Sequence, residues 1–399
     1  MEPSSDFTVW DGQIKRVFAI EDFTIGSSKD PFLARYRGRL IAPDSASAYD
    51  QLAAGLRPLG VRPLFRVEEG QHVILIEKFN PPKPGRPSLN LLMFILTIIS
   101  VLVSYGLSNL ATLPEDPLQA VLLILETSWP FTVSLLAILL VHEFSHYLAG
   151  RVHGGHVTLP FFIPLPFSSL GTLGAFINMK EPPRNKRVLM DIAVAGPIAG
   201  YIASLVVVYI GLSLSSLDRI PAAFAAGQGF MVEGNSITYL LLKYLRFGQL
   251  LPQPVSYGDL PPLLYWLKYF VTGKPFPYGG LDVMIHPVAW AGWVGLLITS
   301  LNLIPAGQLD GGHVMYLLFG KETSRKTLPV IVILLAAMGF LWSGWWLWAG
   351  LLFLLGRTHA EPMDQITPLD LPRKLLGALT ILVFLLTFSS VPITLMLPG

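Results

Sequence analysis

Between Ser88 and Val141 the chain carries only three formal charges, Glu115, Asp116 and Glu126. Runs of about 20 apolar residues are long enough to cross the hydrocarbon core of a bilayer. Such runs recur at 90–108, 127–150, 188–212, 285–304, 328–356 and 375–396. Charged residues make up 14% of the 399, against about 25% in an average soluble protein, and 52% are hydrophobic. One water-soluble core of this size would need far more polar surface to cover it. That balance excludes disorder, a coiled coil and an ordinary soluble enzyme, and leaves a membrane protein. The formal net charge is +2, which argues against nucleic acid as a main partner, because phosphate binding needs a basic stripe. With no cysteine, disulfides, thiolate metal sites and a Cys nucleophile are all excluded.

The first 86 residues have a different composition, that of a small soluble α+β domain. Alternation over Val61–Ile76, with Glu68-Glu69-Gly70 between, predicts a hairpin. Asp44-Ser45 could cap a helix through Ala48–Leu59, preceded by a strand near Arg35–Ile41. The run PPKPGRP at 81–87 reads as a linker. The opening residues MEPSSDFTVWDG fit neither a signal nor a transit peptide. Basic residues at Lys78, Lys83 and Arg86, then at Arg151, Lys180, Arg184, Lys186 and Arg187, and again at Lys321, Arg325 and Lys326, set the orientation by the positive-inside rule. The N-terminal domain is expected to be cytoplasmic, with the second and fourth spans running outside to inside. For 328–356, Ser343-Gly344 could break the run into a hairpin, or the run could be one long tilted helix; the hairpin is the favoured expectation. The division expected is therefore 1–86, a core at 87–320 and a C-terminal transmembrane extension at 321–399.

The chemistry begins at the end of the second span, in LLAILLVHEFSHYLAGRVHGGH. His142 and His146 are four apart on a helix, so both imidazoles project from one face and can share a metal ion. Glu143 follows the first His, where a carboxylate can take a proton from water held by that ion. Ionisable groups inside a membrane helix are costly and usually functional. Zinc needs a third protein ligand. His153 returns to the same helix face, yet a continuous helix would carry it ~16 Å up the axis, out of reach of the same ion. His153 and His156 read better as membrane-surface loop residues.

The better third ligand lies in LITSLNLIPAGQLDGGHVMYLLF. Asp310 sits in a mostly apolar run broken by Pro305 and Gly307, and a carboxylate there is expensive unless it meets a cation. It could instead simply cap a helix starting at Gly311. Asn302, one turn before the proline, adds a neutral donor able to stabilise an oxyanion. His313 reads as a polar group at the membrane edge.

HEFSH in one apolar helix, with NLIPAGQLDGG in a later one, resembles the site-2 protease family of intramembrane zinc metalloproteases. The family pattern, HExxH with a distant NxxPxxxLDG, is matched by His142-Glu143-Phe144-Ser145-His146 and by Asn302, Pro305, Leu309, Asp310 and Gly311. The resemblance covers roughly 90–320. It implies a mainly α, polytopic transmembrane bundle of about six to seven spans with a re-entrant β-hairpin beside the small N-terminal α+β domain. It implies one Zn2+ per chain on His142, His146 and Asp310, with Glu143 activating water and Asn302 holding the substrate carbonyl. It further implies a transmembrane protein or peptide substrate, cut within or near its membrane segment.

The stretch PFFIPLPFSSLGTLGAFINM, 160–179, is too rich in Pro and Gly for a regular spanning helix. It resembles the re-entrant hairpin of these proteases, whose edge would hold an unwound substrate as an added strand. In DIAVAGPIAG, Asp191 opens the third span, and Gly196, Pro197 and Gly200 provide small faces for close helix packing. Two other functions are weighed against proteolysis: a catalytically idle relative that binds membrane partners, and a metal transporter. The intact Glu143 counts against the first, and the lack of internal repeats against the second. The expected setting is a prokaryotic cell membrane with the active site toward the cytoplasm; an organellar membrane is the alternative.

Overall fold

The computed structural model describes residues 3–110, 112–221, 230–356 and 361–396. It is mainly helical. The chain opens with α1 (Pro3–Ile14), β1 (Phe18–Ile25), β2 (Ala34–Leu40), α2 (Ser45–Leu56), β3 (Val61–Glu68) and β4 (Gln71–Lys78). The four strands form one antiparallel sheet in the order β1-β2-β4-β3. Asp44 caps α2 by accepting from the Ser47 amide at 3.1 Å, which satisfies one of the helix's orphan donors. At the β3–β4 turn Glu69 and Gly70 both adopt positive φ, 52° and 81°, the backbone that matches a two-residue turn to the twist of its strands. Trp10, Ile14, Tyr49, Leu52, Phe65 and Ile74 are among the buried residues between the helices and the sheet. The sequence patterns missed α1 and β1, since neither segment shows a clean apolar period.

Among the described residues, three helices are long and apolar enough to cross a membrane: α3 (Pro87–Asn109), α4 (Pro117–Val152) and α5 (Lys186–Ser213). They coincide with the first three predicted spans, although α4 starts ten residues earlier than its apolar run. Their outward faces keep apolar side chains such as Leu91, Ile99, Val133 and Ile202 exposed, as a lipid-facing surface requires. Between α4 and α5 lies a hairpin of β5 (Phe161–Pro164) and β6 (Thr172–Phe176), paired antiparallel. Its turn is anchored to α3: Ser100 Oγ donates to Gly171 O at 2.6 Å and Ser104 Oγ to Pro166 O at 2.8 Å.

A layer that the sequence reading did not anticipate follows α5. It contains β7 (Ser216–Arg219), β8 (Phe230–Glu233), α6 (Ile237–Phe247), α7 (Pro262–Thr272) and β9 (Leu281–Met284). β7 pairs with β9, and β8 pairs with the last strand, β10, at Ile393–Met396. Next come α8 (Pro287–Asn302), α9 (Asp310–Met338), α10 (Gly344–Leu355) and α11 (Leu371–Thr387). The predicted spans at 285–304, 328–356 and 375–396 thus fall on shorter helices: α8 has 16 residues, α10 has 12 and α11 has 17. Gly320, at φ 86° and ψ 168°, breaks α9 into two. The 328–356 run ends one helix at Met338 and begins another at Gly344, and the two pack on each other, with Trp346 Nε1 donating to Ala336 O at 3.0 Å. It is a helical hairpin.

α5 lies at the centre of the helices, against α4, α8, α9 and α11. The segment before α11 sews the N-terminal sheet to the start of α5. Phe65 N donates to Met363 O and Gln365 N to Phe65 O on one side, while Met363 N and Asp364 N donate to Pro183 O and Arg184 O on the other. Arg66 Nη1 adds bonds to Pro362 O at 3.1 Å and Met363 O at 2.8 Å.

Candidate metal centre

Helix geometry places His142 and His146 one turn apart on the inner face of α4, where both are buried. The third component arrives from the opposite wall. After α8 ends at Asn302, the chain turns through Pro305–Leu309 and starts α9 at Asp310. Gly311 permits this tight return: a Cβ there would lie 2.1 Å from Leu303 O. Asp310 is the first residue of α9, while the Leu309 cap position makes no side-chain capping bond. Its Oδ2 points instead at the histidines, 3.5 Å from His142 Nε2 and 3.3 Å from His146 Nε2. The two Nε2 atoms are 3.2 Å apart.

These three edges can be compared with what a metal demands. Tetrahedral zinc with bonds of about 2.0–2.1 Å separates its donors by about 3.3 Å. The observed triangle fits that spacing, and two imidazoles with one carboxylate make a donor set that zinc accepts. Among the described residues this is also the one group of three or more His, Asp or Glu ligand atoms within 4.8 Å of one another.

The surroundings fix the ligands. His146 Nδ1 donates to the Ile192 carbonyl of α5 at 2.7 Å; with the ring proton held there, the Nε2 lone pair faces the site. α5 comes this close because it presents glycine. A Cβ at Gly196 would lie 2.1 Å from His146 Nε2, and one at Gly200 would lie 2.8 Å from His142 Nδ1. Pattern reading took these residues as generic helix-packing positions; the structure sets them against the two ligand rings.

The triangle borders a cavity of about 220 Å³ that is also lined by Glu143, Asn302, Gln308 and His313. All five residues singled out for chemistry, His142, Glu143, His146, Asn302 and Asp310, therefore share one cavity. Phe176 and Ile177, at the end of β6, form its side wall. His313, read from the sequence as a polar group at the membrane edge, also lines this cavity, one turn beyond Asp310 at the start of α9. Gln308 was not anticipated; its place in the loop leading to Asp310 was the available signal. His153 and His156 lie elsewhere. His153 Nε2 is 3.0 Å from Asp191 Oδ2 and His156 Nδ1 is 2.7 Å from Glu181 Oε2. Asp191 in turn accepts two bonds from Arg373 of α11, at 2.8 and 2.6 Å, so it ties together the ends of three helices beside Ile192.

Residues 130–342 match the family model described as Peptidase family M50, a stretch that contains every residue of the triangle. Among similar proteins, "Probable zinc metalloprotease EGY1, chloroplastic" of Oryza sativa subsp. japonica is 30% identical over 322 residues, covering 76% of this chain and 50% of that protein. "Probable zinc metalloprotease EGY2, chloroplastic" of Arabidopsis thaliana is 29% identical over 293 residues, covering 72% and 46%. The chain thus spans about half the length of these relatives. With more than half of its residues inside the matched model, and with both motifs converging on one donor triangle, the chain belongs to peptidase family M50.

Proposed function

We propose that this protein is an intramembrane zinc metalloprotease that hydrolyses a peptide bond within or near a transmembrane segment of a membrane protein. The observation that carries the reading is the cavity that unites the donor triangle with Glu143 and Asn302. His142, His146 and Asp310 would hold the ion. Bound there, zinc would supply an acidified water and a polarised carbonyl.

The chain's own residues account for the remaining steps. Glu143 accepts the water's proton and delivers it to the leaving amine. Asn302 donates its amide N–H to the substrate carbonyl oxygen, where negative charge develops. A membrane helix satisfies its own amides, so the scissile segment must first unwind. The β5–β6 hairpin is read as a re-entrant element that holds the unwound stretch as an added strand. Its turn bonded to α3 and its far end at the metal cavity support that role.

The helices α8 to α11 complete a multi-pass bundle of six to seven spans in this reading. The N-terminal domain and the metal site face the cytoplasm of a prokaryotic cell membrane, a side supported by the basic residues that flank α3, α4 and α5. The relatives' names point to the chloroplast, which makes an organellar membrane the alternative.

The test is cleavage of a transmembrane reporter by zinc-loaded protein in liposomes, beside Glu143→Gln. The expected result is turnover by the parent and none by the variant, with equal zinc in both. Equal turnover by the variant would remove Glu143 as the base, and absence of turnover in zinc-loaded parent across a broad reporter set would refute proteolysis.

A further inference from the structure

A second cavity, of about 380 Å³, lies between the N-terminal domain and the ends of α4 and α5. Met179 and Ile192 line both this cavity and the metal cavity. The chain leaving β6 passes Phe176 and Ile177 at the metal and reaches Met179 and Glu181 at the second cavity. It stays extended on the way, since Met179 pairs with Val157 and Lys180 N donates to His156 O at 2.9 Å. An extended polypeptide advances ~3.3 Å per residue. One laid along β6 with a peptide bond at the metal would therefore place its next few residues in the second cavity.

The charges lining that cavity are unevenly matched. Arg184 Nη1 is engaged by Asp50 at 3.0 Å, and His156 by Glu181 at 2.7 Å. His153 faces Asp191 outside the lining. Arg62 is paired with Glu77, at 3.0 Å, which also lies outside it. Arg57, at the end of α2, has no carboxylate partner among the described residues and stands 5.2 Å over the Phe79 ring. The N-terminal domain thus presents positive charge to the path that the chain would take away from the metal.

We propose that this cavity is a flanking subsite that receives a short acidic stretch of the substrate, on the N-terminal-domain side of the cleaved bond. The proposal rests on the protease reading above and gives the N-terminal domain a role in selection. On the cytoplasmic side, membrane segments generally carry Lys and Arg. Arg57 repels those and accepts the rarer acidic flank, so discrimination comes from repulsion as well as attraction.

The experiment uses the full-length Glu143→Gln protein, zinc-loaded in detergent, with fluorescent apolar segments of ~25 residues bearing four Glu or four Lys at one end or the other. The expected result is about tenfold tighter binding of a Glu-flanked segment than of its Lys-flanked counterpart, reversed in a background that also carries Arg57→Glu. Equal affinities, absence of binding, or a preference that Arg57→Glu leaves unchanged would overturn the proposal. Displacement of the acidic flank by soluble short-chain phosphatidylglycerol, but not phosphatidylcholine, would assign the cavity to a lipid headgroup and also overturn it. Cleavage of the same segments by the parent enzyme is scored separately. The expected preference without any cut in zinc-loaded parent would sink proteolysis and leave the acid-binding cavity standing; cutting without preference would do the reverse.

Discussion

Gly196 of α5 lies against the His146 imidazole so closely that a Cβ on it would stand 2.1 Å from Nε2. That atom is one corner of the donor triangle, so a single methyl group must displace either the ring or the helix. Gly196→Ala is expected to weaken zinc binding at least about tenfold while leaving every ligand in place. Chelator competition with metal analysis measures it. Gly350→Ala, at a position with open space around it, is the control and should retain zinc; retention in both variants would show that the ring has room to move.

His146→Ala and Asp310→Asn should each lose the zinc of the parent protein. The two residues are far apart in the chain but 3.3 Å apart in space, and a tetrahedral site cannot keep its affinity with two protein ligands. Metal content per folded chain is the measurement. Zinc unaffected by Asp310→Asn would leave the site without the carboxylate proposed here.

Asn302→Ala is expected to keep zinc and lower kcat by about 10²–10³, the usual cost of losing one donor to a developing oxyanion. KM should change little, because the bond to the carbonyl oxygen strengthens in the transition state. Steady-state kinetics on a transmembrane reporter decides this, and a rise in KM at constant kcat would reassign Asn302 to substrate binding.

Arg373→Ala removes both bonds to Asp191 and leaves a half-buried carboxylate beside His153. Losing charge-assisted bonds of this kind costs about 1–3 kcal/mol, seen as a lower melting temperature in detergent. Asp191 directly precedes Ile192, whose carbonyl holds His146 Nδ1, so zinc affinity should fall as well. An unchanged melting temperature and unchanged zinc affinity would show that α11 contributes nothing to the alignment of α4 and α5.

On the far layer, burial pushes the Glu233 carboxyl up to about 7, against the opposing pull of Lys243 and in the company of Asp282. The Tyr239 hydroxyl donates to it at 2.8 Å. The folded state therefore holds a proton that the unfolded chain releases near pH 4.5. Folded protein binds more protons in that interval, so stability is fully present below about pH 4.5 and declines as the pH rises toward about 7. Glu233→Gln should flatten this slope in a thermal-melting series between pH 5 and pH 8, each value about half a unit apart. A slope identical to the parent's would assign the proton elsewhere.

Much of the chemistry was legible from spacing. His142 and His146 are neighbours because helix periodicity makes them so, and Glu143 is bound to their side by the same rule. Asp44 as a cap and Glu69-Gly70 as a turn are equally local. The long apolar runs announced α3, α4 and α5. They overstated α8, α10 and α11, because composition records apolarity and not where the backbone leaves the helix: at Leu303, Gly356 and Phe388. The layer from β7 to β9 escaped notice because its short strands pair with partners distant in sequence, as β8 does with β10.

Spacing alone dictates that α4 carries two imidazoles and a carboxylate in an apolar setting, since a helix fixes the relation of residues one turn apart. What meets them is settled by long-range packing. Asp310 rather than His153 reaches the imidazoles because the α8–α9 turn aims it across the cavity, while Asp191 engages His153. Gly196 and Gly200 lie against the ligand rings because α5 packs on α4 at that height. Contacts between residues far apart in the chain depend on how whole helices lie against one another, and no local period encodes that.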